Sequence, residues 1–140
     1  MKRLLLPLGW AVSVWAGATI FFVIFGQQVL VEPSSAGFWP ALLLLEAGTA
    51  VCLYFITRLY IRMDSSHSAP LTFAICGSAT GLFLDTFSLS HHTYVFAALS
   101  PAQVTSFAAW MSCAYALYLI IPFLIYHWRS HGTAKQSNDA

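Results

Sequence analysis

The sequence predicts an all-α membrane protein, a four-helix transmembrane bundle with both termini cytoplasmic. Three observations predict it. Hydrophobic residues fill 59% of the 140 positions and charged residues 8%, where soluble domains are about one quarter charged. Four long apolar runs divide the chain. All six Lys and Arg fall on one side of the four-span arrangement that these runs define. A soluble domain of this length has too little interior to hide so much apolar surface. A soluble enzyme and a disordered chain are excluded on that ground. A nucleic-acid binder is excluded by the shortage of basic residues, with a formal net charge of only +1.

The first run, Leu4 to Val31, holds no charged residue. As a helix it exceeds the ~30 Å hydrocarbon core. Spans are expected near 6–30, 38–61, 70–91 and 102–128, within one domain over 1–129. A polar tail over 130–140 is expected to be disordered and cytoplasmic. Pro7, Pro40, Pro70 and Pro101 stand at or near the starts, where a missing N–H has no helical partner to lose. The fourth start is the best marked. Ser100 can cap, Pro101 takes the first helical position, and Gln103 stands where a capping box wants Glu or Gln. Pro122 lies inside the fourth run and is expected to free the Tyr118 carbonyl and kink the helix near its end.

Charge sets the orientation. Lys2 and Arg3 precede the first span, Arg58 and Arg62 lie at the second connection, and Arg129 and Lys135 follow the fourth span. The positive-inside rule then places both termini in the cytoplasm. Met1-Lys2-Arg3 with Ala16-Gly17-Ala18 has the outline of a signal peptide. The apolar run continues through Val31, so an uncleaved span is expected instead. Trp39, Tyr60, Tyr126 and Trp128 fit an interfacial aromatic belt.

Helices in lipid associate through close approach at small residues and through polar contacts. Gly77 and Gly81 form a GxxxG pair in the third span, with Asp85 next on the same stripe. Gly9, Ser13 and Gly17 repeat the spacing in the first span, and Ala108, Ser112 and Ala116 in the fourth. These stripes are expected to pack the bundle, with a homodimer or a partner membrane protein as the other use. Ala18-Thr19 with Phe22 recurs as Ala79-Thr80 with Phe83, a faint sign of duplicated hairpins.

An acid inside the membrane costs roughly 2.5–3.5 kcal/mol on insertion scales, so Glu46 and Asp85 stand out. Both lie roughly 10 Å below the same surface, counted along their helices. If they face each other they would share a proton. Ser78, Asp85 and His92 are seven apart in turn, with Gly81 and Ser88 between them. They form a polar track if the helix continues to His92. Glu46, Thr49 and Thr57 make a weaker one. Three functional readings follow: a proton or cation site, a pocket for a lipid or amphipathic ligand, and a divalent-metal site. The metal site has only His91 and His92 as weak candidates beside the acids, so no metal and no cofactor is expected. The plain alternative is that Asp85 and Glu46 merely hydrogen-bond across the bundle. Catalysis finds no support. Cys52, Cys76 and Cys113 form no CxxC and read as small buried hydrophobes. Small multidrug exporters carry an acid in their first helix, and this first span has none.

Gly81-Leu82-Phe83-Leu84-Asp85, Val95-Phe96, Leu99-Ser100-Pro101, Phe107-Ala108-Ala109-Trp110 and Ala114-Tyr115, with Gly9-Trp10-Ala11-Val12 and Phe25-Gly26-Gln27, resemble a family of short bacterial membrane proteins of unknown function. The resemblance is densest from Gly77 to Leu119. It implies four spans and places Asp85 in a motif. It implies no substrate, cofactor or activity, and His91 and His92 are not part of it. The expectation is a small multi-pass protein of a bacterial inner membrane that is not an enzyme and is structural or accessory to a partner. The alternative is a proton- or cation-linked transporter or sensor using Asp85 and Glu46.

Overall fold

The computed structural model describes the backbone of residues 2–138 and the side chains of 5–130. It is helical: α1 Lys2–Val29, α2 Phe38–Met63, α3 Ala69–Ser90, a single turn α4 His92–Val95, and α5 Pro101–Asn138. Four of these contain stretches long and apolar enough to cross a membrane, namely Leu5–Val29, Phe38–Met63, Ala69–Ser90 and Pro101–Ser130. The tail expected to be disordered is, as far as Asn138, a continuation of α5 in its backbone, while the side chains from 131 onward and those of Lys2 and Arg3 lie outside the described residues.

The boundaries follow local chemistry. Pro70 sits in the first turn of α3, and Pro101 opens α5. The capping box at α5 is complete. The Gln103 backbone N–H donates to Ser100 Oγ at 3.2 Å, and the Ser100 N–H donates to Gln103 Oε1 at 3.1 Å. Pro7 departs from expectation by standing inside α1, which begins at Lys2. Pro122 is likewise inside α5, which continues across it. The third connection also differs from expectation. Helix α3 stops at Ser90, and α4 makes a separate turn from His92. The polar track therefore ends before it reaches His92.

The packing order is not the chain order. Helix α1 packs on α3, α3 on α5, and α5 on α2, while α1 and α2 barely touch. Two cores tie the ends together. At one end Phe22, Leu30, Phe96, Phe107 and Trp110 interlock, with the Phe22 and Trp110 ring centres 4.4 Å apart. At the other end Leu53, Tyr60, Ala69, Phe73 and Tyr118 are buried together. Phe73 is stacked between Tyr60 at 4.9 Å and Tyr118 at 5.0 Å. Such ring pairs add about 0.5–1.5 kcal/mol each beyond area burial. Tyr60 is thus fully buried at 0% exposure rather than part of an interfacial belt, while Trp39 and Trp128 remain exposed.

Gly77 and Gly81 do pack, but against rings. A Cβ on Gly77 would overlap the Tyr118 ring, and one on Gly81 would meet ring carbons of Tyr115 at 3.0 Å. The GxxxG pair of α3 is therefore a seat for two tyrosines of α5. The Gly9–Ser13–Gly17 stripe corrects the sequence expectation. It is exposed, and a Cβ on Gly9 or Gly17 would meet nothing within 4 Å. The reason is that α1 instead buries Pro7, Ala11, Phe22 and Gly26, which occupy a different face. Ser112 and Ala116 are exposed as well. The duplication hint also fails in packing, since Phe22 is 1% exposed and its counterpart Phe83 is 65% exposed.

The end of α1 is closed by another helix. Gln103 Nε2 donates to the carbonyl of Leu30 at 3.0 Å and of Gln27 at 3.2 Å. Ser106 Oγ donates to the Val31 carbonyl at 2.6 Å. Gln27 is in the last turn of α1, where carbonyls lack amide partners, and Leu30 and Val31 follow directly after the helix.

Candidate functional site

The separation of α1 from α2 opens a cleft of about 840 Å³. Its walls are α1 and α2, and its floor is α3 and α5. The lining is chiefly apolar and aromatic, including Trp10, Trp15, Phe22, Phe107 and Trp110. Gly17 and Gly48 face it from the two walls.

Asp85 lies on the floor at 5% exposure. Both of its oxygens accept hydrogen bonds from other helices. Trp15 Nε1 of α1 donates to Oδ1 at 2.8 Å, and the Tyr115 hydroxyl of α5 donates to Oδ2. Tyr115 reaches the acid because Gly81, one turn before Asp85, leaves room for its ring. A second polar contact joins α2 to α5. Trp110 Nε1 donates to Thr49 Oγ1 at 3.0 Å, and Thr49 Oγ1 donates to the Leu45 carbonyl at 2.8 Å.

The other sequence candidates scatter. Ser78 is buried, and its Oγ has no hydrogen-bond partner among the described residues. Ser88 Oγ donates back to the Leu84 carbonyl at 3.3 Å, and Thr57 Oγ1 to the Leu53 carbonyl at 2.7 Å. His91 and His92 turn their Nδ1 atoms to the carbonyls of Phe87 and Leu89, at 3.1 and 2.9 Å. Among the described residues, no three His, Cys, Asp or Glu side chains come together as metal ligands.

Glu46 is not in the lining of the cleft. Both of its oxygens are buried without a hydrogen-bond partner among the described residues. Asp85 and Glu46 therefore form no shared site on the cleft floor, contrary to the paired-acid expectation. Each helix directs its acid by its own register, and α3 presents Asp85 to α1 and α5. The cysteines also depart from expectation. Cys52 and Cys113 are exposed, Cys76 is partly so, and all three are free thiols.

Sequence reasoning missed Trp15 and Tyr115 as partners of Asp85. A signal existed, because an acid in an apolar helix needs donors, and Trp and Tyr are among the few donors such helices contain.

The chain is 44% identical over 99 residues to the uncharacterised protein YnzE of Bacillus subtilis (strain 168), an alignment that takes in 71% of this chain and 98% of YnzE. The chain belongs to the family of YnzE. That family relationship carries no assigned activity, in keeping with the resemblance read from the motifs around Asp85. No family model matches the chain, and no solved structure matches it.

Proposed function

We propose that this member of the YnzE family is a four-span protein of the bacterial cell membrane, with both termini cytoplasmic. It catalyses no reaction, and it serves as an accessory component whose α1–α2 cleft holds an apolar guest molecule. The cleft is the observation that carries this reading. Its volume of about 840 Å³ lies within the ~300–1,000 Å³ typical of small-molecule sites. It is too small for another helix, and its apolar walls suit a guest drawn from the bilayer.

The topology rests on the basic residues and the positive-inside rule. Single cysteines at Ser34 and Ser66, in a background with Cys52, Cys76 and Cys113 replaced by Ala, test it. An impermeant maleimide applied to intact cells should label the Ser34 position and spare the Ser66 position. The opposite pattern overturns the orientation.

Filling the cleft tests the binding role. Gly48→Trp has space for its Cβ, with nothing within 4 Å, and would place an indole across the opening. Native mass spectrometry should find apolar adducts on wild type and fewer on this variant. Equal adduct levels would remove the cleft from the function. Beyond the lipid bilayer, we propose a second copy of the chain or a partner membrane protein as the neighbour of the exposed Ser112 and Ala116 on α5, since Ser13 and Gly17 of the α1 stripe line the cleft. A cross-link through Ser112→Cys tests that contact, and a monomer-only result counts against it. The proton- or cation-linked alternative through Asp85 and Glu46 is less well supported, because only Asp85 lines the cleft.

A further inference from the structure

We propose that the guest of the cleft is an apolar organic cation, a positively charged group carried on aromatic or hydrocarbon bulk, with Asp85 as its counter-charge. This rests on the reading of the cleft as a binding site. Among the described residues, Asp85 is the only Asp, Glu, Lys, Arg or His in the lining. Among the described residues no cation pairs with it. Its two hydrogen-bond donors, Trp15 and Tyr115, are neutral and supply no positive charge. A carboxylate has about four lone-pair sites, so these two bonds fix its position and leave acceptor capacity for a guest.

The rest of the lining suits the same class of molecule. Trp10, Trp15 and Tyr115, each only partly buried, line the cleft. Aromatic ring faces attract cations, Trp most strongly. They repel anions by the same quadrupole. A neutral acyl chain would be equally well served by Asn or Leu at position 85. An unpaired acid at membrane depth is a costly residue to keep for hydrocarbon alone. Binding a cation repays that cost, because the guest supplies the missing partner.

The test uses two ions of the same shape and opposite charge, tetraphenylphosphonium and tetraphenylborate, with triphenylphosphine oxide as the neutral control. The three tryptophans in the lining report binding by fluorescence quenching in detergent micelles, with protein-free micelles as blank. Wild type should bind the phosphonium at least tenfold more tightly than the borate. Asp85→Asn should lose at least tenfold in phosphonium affinity and keep its affinity for the neutral control. Asp85→Glu should keep the cation preference, and Gly48→Trp should weaken all three probes.

Equal binding of both ions to wild type overturns the cation proposal whether or not the Asn variant folds. Equal phosphonium affinity in wild type and Asp85→Asn overturns it too. In either case binding that Gly48→Trp still blocks leaves the cleft itself standing as a site. If Gly48→Trp changes nothing, or no probe binds at all, the binding role of the cleft fails with the proposal.

Discussion

Asp85 is an acid in an apolar wall, held by donors from two other helices. Hydrogen bonds to charged groups contribute roughly 1.5–3 kcal/mol in water-soluble proteins. Bonds between membrane helices average only about 0.6 kcal/mol. Tyr115→Phe keeps the ring on Gly81 and removes one donor, so it should lower unfolding free energy by about 1–2 kcal/mol. Reversible unfolding in mixed micelles reads this, and an unchanged midpoint would show that the bond contributes little. Glu46 predicts the opposite sign. Its oxygens are buried without a partner, so Glu46→Leu should leave stability unchanged or raise it by about 1 kcal/mol. A clear loss of stability would reveal a contact that this side chain makes elsewhere. The two acids looked alike in the sequence, at a similar depth in two apolar helices. Their environments differ because depth counts turns along one helix and says nothing about which neighbour the side chain meets.

At the scale of the element, Gln103 links two helices. Its side-chain oxygen completes the cap of α5, and its amide nitrogen holds the carbonyls of Gln27, in the last turn of α1, and of Leu30 just after it. Loss of an N-cap costs about 1 kcal/mol, which is the expected cost of Ser100→Ala. Gln103→Leu should cost more, because it also strips partners from Gln27 and Leu30. Hydrogen exchange separates the two effects. Faster exchange in the last turn of α1 is expected for Gln103→Leu and not for Ser100→Ala. Equal exchange there would remove Gln103 from the closure of α1. The cap was readable in advance, since Ser100, Pro101 and Gln103 stand in a short-range pattern with one meaning. The hold on α1 was not readable, because it spans more than 70 residues and has no local signature.

At the scale of the whole molecule, composition and the four apolar runs made the helices legible before any coordinates. The order in which they pack was not legible. Apolar helices carry no address for their neighbours, and the strongest hint, the Gly77–Gly81 pair, proved to seat Tyr118 and Tyr115 rather than another backbone. The cleft follows from that order and was equally hidden. Because α1 rests on α3 and α2 on α5, the main contacts all join one half of the chain to the other or lie within the second half. Fragments 1–66 and 67–140, expressed together, should therefore assemble and co-purify. Failure to do so, with both fragments inserted, would contradict the packing order. The same arrangement bears on how the protein is made. The first two helices leave the ribosome together but have almost nothing to hold each other with. They gain most of their contacts only when the later pair, α3 and α5, comes between them. A chain cut after Met63 thus keeps almost none of the contacts that hold α1 and α2 in the whole protein, and its two helices are expected to be far more open to proteolysis than in the full chain.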